Sequence, residues 1–128
     1  MLNKVVLHFS KGTIQKGTTD DFFPNKEMFH FKENGQGEIR EIRLGDLKAV
    51  YFVKNFEGNP DYQERDDVTR VGFGKLIMVH FKDGETQVGY TQGFTPERTG
   101  FFVFPADPDS NNDRVFVLKA ATDKVHFI

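Results

Sequence analysis

The sequence contains no cysteine, no tryptophan and no long apolar run. Without cysteine the chain cannot form disulfides, thiolate metal sites or a cysteine nucleophile, and this absence is typical of a cytoplasmic protein. No apolar stretch approaches the roughly 20 residues of a membrane-spanning helix, and the first residues lack the apolar core of a secretion signal. We therefore expect a cytoplasmic protein with no membrane association.

Phenylalanine is abundant by contrast, with 15 copies among 128 residues. This length is typical of one domain of ordinary size, so we expect a packed aromatic core. The formal net charge is −2. Such a balance lacks the basic excess of proteins that bind nucleic acid through phosphates, so it argues against that function.

The segment from Val6 to Pro24 is repeated 72 residues later, from Met78 to Pro96, with eight identical residues in one register. Further along, Met28–Phe31 can be aligned with Phe101–Phe104, and Ala49–Val53 with Lys124–Ile128. These similarities indicate an internal duplication. We predict one repeat over residues 1–53, a linker over 54–75 and a second repeat over 76–128.

Each repeat begins with the pattern of a β-hairpin. Apolar residues alternate along residues 5–9 and 77–81, as expected for strands with one buried face, and "SKGT" and "KDGE" supply glycine for the turn that follows. Gly17 and Gly89 fall inside the second strand, where glycine predicts a bulge or a sharp bend. Phe56, Tyr62 and Phe73 in the linker are expected to pack against a neighbouring surface. We predict about five strands per repeat and an all-β fold.

The glycine and phenylalanine spacing of each repeat resembles the first motif of Sm-like proteins. Gly12, Gly17 and Phe22 carry it in the first repeat, and Gly84, Gly89 and Phe94 carry it in the second. The resemblance implies two tandem small barrels of the Sm-like or SH3-like type, packed as one compact unit. The aspartate and asparagine that hold bases in the RNA-binding members correspond here to Phe23 and Glu27, and to Thr95 and Thr99, which argues against RNA binding.

The whole chain is also similar to an uncharacterised family of small bacterial proteins, found alone or beside PilZ domains. The stretches "FVKNFEGNPDY" and "GFTPERTGFFVFPADPDSNNDRVFV" carry this similarity. The resemblance implies a cytoplasmic bacterial protein with a loose link to cyclic-dinucleotide signalling. It supplies no assigned activity.

One acidic loop matches part of a calcium-binding motif. Asp107, Asp109, Asn111 and Asp113 occupy its alternate ligand positions, but the bidentate glutamate that closes the metal shell is replaced by Leu118. Side chains of this type also cap backbone groups in ordinary turns. A turn is the favoured interpretation, and a weak divalent-ion site is the alternative.

A second candidate site lies in polar loops, namely Pro24–Glu27 and Pro96–Thr99 at matching positions of the repeats and the loop over residues 107–114. Arg98 and Arg114 could together bind an anion, with Tyr90 or Phe101 as a stacking platform. Ordinary solvated loops explain the same residues and are the favoured interpretation. Nucleophile elbows, phosphate loops and dinucleotide fingerprints are absent from the sequence, so we expect neither an enzyme nor a cofactor. The favoured function is a non-catalytic binding or regulatory module for a protein partner or a small anionic ligand. Nucleic-acid binding and divalent-ion binding are the alternatives, and the oligomeric state is left open.

Overall fold

The alternating apolar residues near the start of the chain form the first of ten strands in the computed structural model, which describes residues 2–35, 37–95 and 97–128. The strands are β1 Asn3–Phe9, β2 Ile14–Thr19, β3 Met28–Glu33, β4 Ile39–Arg43, β5 Leu47–Val53, β6 Lys75–Phe81, β7 Thr86–Thr91, β8 Gly100–Pro105, β9 Asn112–Leu118 and β10 Thr122–Phe127. Two short 3-10 helices, Leu44–Asp46 and Lys119–Ala121, precede β5 and β10. The described residues include no α-helix and no helix long and apolar enough to cross a membrane. The all-β prediction is confirmed.

All ten strands belong to one antiparallel sheet. Its order is β10-β6-β7-β8-β9-β5-β1-β2-β3-β4, so the five strands of each half have the same relative order. The two halves are joined where β5 pairs with β9, at Ala49 opposite Val117 and Tyr51 opposite Val115. No pairing between described residues closes this sheet. The sequence predicts two tandem small barrels packed as one compact unit. The β5–β9 pairing joins the halves into one sheet that is not closed, and the tandem barrels stay a prediction.

Two apolar cores lie on opposite faces of the central strands. Along β5, Val50 and Phe52 belong to the first core, while Ala49, Tyr51 and Val53 belong to the second. The strand β9 alternates in the same way, because side chains of a strand point to opposite faces in turn. It contributes Phe116 and Leu118 to the first core and Val115 and Val117 to the second. Each core is therefore completed by residues from the other half of the chain.

The opening hairpins form where the sequence predicts them. Gly12 and Gly84 have φ angles of 104° and 94°, a left-handed conformation that glycine adopts without steric cost. Of the bulge or sharp bend expected at Gly17 and Gly89, the bulge is absent, since the β1–β2 and β6–β7 ladders run without a register shift. These two glycines instead permit a close approach of the neighbouring strand.

The alignment of the third strands differs from the sequence interpretation by one residue. The strand β3 begins at Met28 and β8 begins at Gly100, so the offset of 72 continues into these strands and Phe29 corresponds to Phe101. Both phenylalanines are buried in their cores. The alignment of Met28 with Phe101 was wrong, because it would exchange the buried and outward faces of one strand.

Residues 54–74, here called the connecting segment, run between β5 and β6 without a strand or helix. The Phe56 side chain packs against the second core, and the Phe73 ring lies 5.5 Å from the Phe104 ring, measured between centroids. The Tyr62 hydroxyl donates a hydrogen bond to Asp107. The prediction that the aromatic residues of this segment pack against a neighbouring surface is confirmed for Phe56 and Phe73. Tyr62 is 37% exposed and is held through its hydroxyl instead. The segment is fixed to the rest of the protein at several points.

Candidate functional site

Arg114 lies on β9 at the rim of the first core, on the same face of the strand as Phe116. Its guanidinium carbon is 4.3 Å from the centroid of the Phe52 ring and 4.6 Å from that of the Phe102 ring. Both distances are within the range of a favourable cation–π interaction. The Arg114 side chain forms no hydrogen bond or ion pair with any residue that the structure describes. Among the described residues, the direct contacts of its charged group are therefore with the two aromatic rings.

Burial lowers the pKa of Arg114, and the nearby charge of Asp113 opposes this effect. The direction of the shift means that the fold solvates this positive charge less well than water does. An arginine still carries its charge at neutral pH and presents planar donors that fit carboxylate and phosphate oxygens. The partly exposed Arg114 side chain is therefore suited to bind an anion.

The structure does not bring the other predicted anion-binding residues to Arg114. Phe101 is buried in the second core, on the opposite face of the sheet from Arg114, and its ring contacts Phe94. Tyr90 is also buried, and its hydroxyl donates to the backbone oxygen of Val68. Arg98 lies in an exposed turn before β8. The aromatic platform for Arg114 consists instead of Phe52 and Phe102.

Two of the polar loops that the sequence singled out do meet in a cleft of about 520 Å³. One wall is the loop Pro24–Glu27, another is the 3-10 helix before β5, and Thr99 of the second half completes the lining. The backbone N–H of Leu44 donates a hydrogen bond to the backbone oxygen of Glu27 and holds the first two walls together. The cleft contains both Lys26 and Arg43 and two carboxylates, so it has no excess of either charge.

An exposed pair, Asp21 and His30, fixes the loop that leads into this cleft. The Asp21 carboxylate accepts a hydrogen bond from the His30 backbone N–H at 2.8 Å and lies 2.6 Å from the His30 Nδ1. The hydrogen bond to Asp21 raises the pKa of His30. Burial tends to raise the pKa of Asp21, but hydrogen bonds from His30 and Thr19 outweigh it and lower that pKa.

The pair is expected to stabilise the fold most between about pH 3.8 and pH 6.5, the ordinary pKa values of the two groups. The raised pKa of His30 gives a contribution to stability that is complete below the pKa of the unfolded state and is lost as the pH rises through the pKa of the folded state. The lowered pKa of Asp21 gives a contribution to stability that is present above the pKa of the unfolded state and is lost as the pH falls through the pKa of the folded state. A His30→Gln variant should therefore lose more stability relative to wild type at pH 5 than at pH 8.5, measured as urea midpoints.

A His8→Gln variant provides a control of opposite sign. Burial and the charge of Lys48 lower the pKa of His8, so protonation of this residue destabilises the fold below its unfolded value of 6.5. The stability of His8→Gln relative to that of the wild type should therefore rise on going from pH 8.5 to pH 5. An identical pH trend for both variants would contradict the assignment of the Asp21–His30 pair.

Asp107 of the acidic loop points into the protein and binds the connecting segment. Its side chain is fully buried and accepts hydrogen bonds from the Tyr62 hydroxyl, from the Arg65 backbone N–H at 2.9 Å and from the Asp109 backbone N–H at 2.9 Å. The hydrogen bond from Tyr62 is the largest of the effects that lower the pKa of Asp107 well below its usual range. The carboxylate is therefore charged, and its oxygens are used within the chain.

The other residues of the predicted ion site are also directed elsewhere. The Asp109 carboxylate lies 3.6 Å from the Arg65 guanidinium, and Asp113 is exposed. The side-chain amide of Asn111 donates a hydrogen bond to the backbone oxygen of Asn55 at 2.9 Å. Across the described residues, no group of three or more histidine, cysteine, aspartate or glutamate side chains could hold a metal ion. The geometry of this loop is that of a turn attached to the connecting segment.

Sequence reasoning missed the aromatic pair at Arg114 because it paired this arginine with the wrong phenylalanine of β8. The strand register offers the missing signal, since Phe102 lies opposite Phe116 and Phe101 lies opposite Val117. Alternation along β9 places Arg114 on the Phe116 face. A correct alignment of β8 with β9 would have selected Phe102.

The fold and the site define an all-β protein built on one continuous antiparallel sheet, with an arginine set on two phenylalanine rings. The chain belongs to DUF6982, a family of unknown function whose model matches residues 1–128. Searches of curated proteins and of solved structures found no match to the chain. The prediction of an uncharacterised family is confirmed, while the bacterial origin and the PilZ association stay predictions.

Proposed function

We propose that this chain is a non-catalytic binding module that recognises an anionic group at Arg114. The observation that carries the proposal is the placement of the guanidinium on the Phe52 and Phe102 rings, without a hydrogen bond or ion pair to any described residue. A buried or half-buried charge normally has a partner of opposite sign, since desolvation is costly. A ligand carboxylate or phosphate supplies that partner.

The proposal also places the module in the bacterial cytoplasm and treats its halves as two tandem, incompletely closed barrels of the Sm-like or SH3-like type. The identical strand order of the halves and the presence of two cores, one on each face of the central strands, support this part. The absence of cysteine supports the cytoplasmic location. Binding of nucleic acid has weaker support, because the net charge is −2.

Thermal unfolding in the presence of sodium pyrophosphate tests the anion site directly. Binding to the folded state raises stability by mass action, by about 2.7 kcal/mol at a ligand concentration of 100 times Kd. We expect the Tm of the wild-type protein to rise at constant ionic strength. The rise should disappear in Arg114→Met, which keeps an apolar chain on the two rings but removes the charge.

Arg98→Met is the matched control, because it removes one exposed arginine that lies away from the aromatic pair. It should keep the full rise in Tm. Multivalent anions also stabilise proteins through exclusion from their surface, and that effect would be equal in all three proteins. An equal rise in wild type and Arg114→Met, or no rise at all, would refute the proposed site. The same Tm measurement with a cyclic dinucleotide, and with a short RNA at two salt concentrations, then shows which kind of phosphate-containing ligand the site binds.

A further inference from the structure

The sheet ends in two strands that lack a second neighbour among the described residues. The strand β4 pairs only with β3, and β10 pairs only with β6. A strand at the edge of a sheet presents unpaired N–H and C=O groups that can pair with another chain. Both edges are therefore available for strand addition.

The junction inside the chain shows which strands fit together. It joins β5, the last strand of the first half, to β9, the fourth strand of the second half. The last strand of the second half is β10, and the fourth strand of the first half is β4. The two unpaired edges are thus the counterparts of the two strands that already pair within the chain. A short 3-10 helix precedes both β5 and β10, and both strands carry a register shift at matching positions, Lys48 and Asp123.

We propose that copies of this chain associate head to tail, with β10 of one copy added antiparallel to β4 of the next. The register follows from the internal junction, where Tyr51 lies opposite Val115 and Phe52 opposite Arg114. A shift of 75 residues, which relates β5 to β10 and β4 to β9, places His126 opposite Arg40 of the second copy and Phe127 opposite Ile39 of the second copy. This association is separate from the anion site and does not depend on it.

The side chains on the two edges match this register. Ile39 is 67% exposed and Phe127 is 56% exposed. The proposed pairing sets these two apolar side chains directly against each other. Cross-strand pairs of aromatic and β-branched residues stabilise antiparallel sheets. The contact would therefore remove two exposed apolar side chains, one from each edge, from water.

His126 provides a second observation on the same edge. Its ring stacks on His80 with centroids 5.2 Å apart, and its Nδ1 is buried without a hydrogen-bond partner among the described residues. Buried nitrogen atoms of this kind are usually paired. The proposed register places Arg40 of the second copy opposite this residue; within its own chain the Arg40 guanidinium donates to the Gln15 side-chain oxygen and lies 3.5 Å from the Glu33 carboxylate.

A contact between two different surfaces of one protein either closes into a ring or continues into a filament. The edges carry more charged residues than the internal junction, where residues 49–53 and 115–118 are all buried. We therefore expect an assembly that is weaker than the internal junction and depends on protein concentration. Multi-angle light scattering after size-exclusion chromatography, over a wide concentration range, measures its mass.

The wild-type protein is expected to show a mass of several chains that falls towards one chain on dilution. Single substitutions Ile39→Lys and Phe127→Lys each place a charge on one edge and should each give the mass of a single chain. Val71→Lys is the control, since Val71 is 92% exposed but lies in the connecting segment, and it should assemble like the wild type. The Tm of every variant is measured to show that it is folded.

A mixture of the two edge variants distinguishes head-to-tail pairing from pairing between identical edges. Ile39→Lys retains a functional β10 and Phe127→Lys retains a functional β4, so the mixture should form a dimer and nothing larger. A wild-type protein with the mass of one chain at all concentrations would overturn the proposal. An Ile39→Lys or Phe127→Lys protein that dimerises alone would also overturn it, because that result indicates pairing between two identical edges.

Discussion

Replacing Gly17 by alanine is expected to lower the free energy of unfolding by about 3 kcal/mol or more, because a β-carbon at this position has no space. It would overlap with the backbone carbonyl oxygen of Lys32 and lie 2.6 Å from Cζ of the Phe31 ring. A flexible side chain could move away, but the carbonyl group belongs to β3, which pairs with β2 at this point. The two strands would have to separate beside the buried Phe31.

Gly45→Ala is the matched control. Gly45 has open space around the position of a β-carbon and no left-handed φ angle, and it is exposed. Its substitution should change stability by no more than about 0.5 kcal/mol. Urea unfolding of the two variants and the wild type gives the comparison. Equal stability of Gly17→Ala and Gly45→Ala would show that the close approach of β2 and β3 can relax at little cost.

Replacing Asp107 by asparagine is expected to lower Tm by about 10 °C, the second-largest effect. The substitution keeps the size of the side chain but removes the charge that accepts hydrogen bonds from Tyr62, Arg65 and Asp109. Hydrogen bonds to a charged group are stronger than those between neutral groups, and an amide nitrogen cannot accept one. The connecting segment should detach locally from the acidic loop.

Asp109→Asn separates this effect from a general loss of negative charge. The Asp109 carboxylate is exposed, and its contact with Arg65 at 3.6 Å is that of a weak surface ion pair. Its substitution should leave Tm nearly unchanged. Hydrogen exchange should show faster exchange in residues 54–74 of Asp107→Asn than in Asp109→Asn. Because the lowered pKa of Asp107 stabilises the fold above about pH 3.8, the difference in stability between wild type and Asp107→Asn should shrink as the pH falls below that value.

The sequence was sufficient to predict the strands and the hairpins, since these depend on local patterns. Alternation of apolar residues fixed the buried faces of β1 and β6, where Val5, Leu7, Ile77 and Val79 are fully buried. Glycine in the turns agreed with the left-handed backbone that the structure has at Gly12 and Gly84. Both signals act over a few residues and need no knowledge of the rest of the chain.

The joining of the two halves could not be predicted in the same way. Pairing of β5 with β9 connects residues about sixty to seventy positions apart, and both strands are rich in apolar residues on both faces. Such strands fit equally well into a closed barrel or into the centre of a larger sheet. The choice between them depends on packing that no local pattern contains.

The candidate sites depend on the direction in which each side chain points as well as on the residue type. The alternating acidic residues from Asp107 to Asp113 match a metal loop in spacing, but the direction of Asp107 is set by Tyr62 and Arg65, which lie more than forty residues earlier. Likewise the sequence identified Arg114 as a possible ligand residue but not the two phenylalanines that hold it. Contacts between distant parts of the chain decide both cases.

The shared cores have a consequence for how the chain folds during synthesis. Translation releases the first half well before β9, yet the first core includes Phe116 and Leu118. On the ribosome, β1 to β5 would therefore lack two of their core residues, and β5 would lack its outer neighbour, until β9 has emerged. Domains commonly fold one after another as they emerge. Here the two halves are expected to fold together in one step once β9 is available, rather than in sequence.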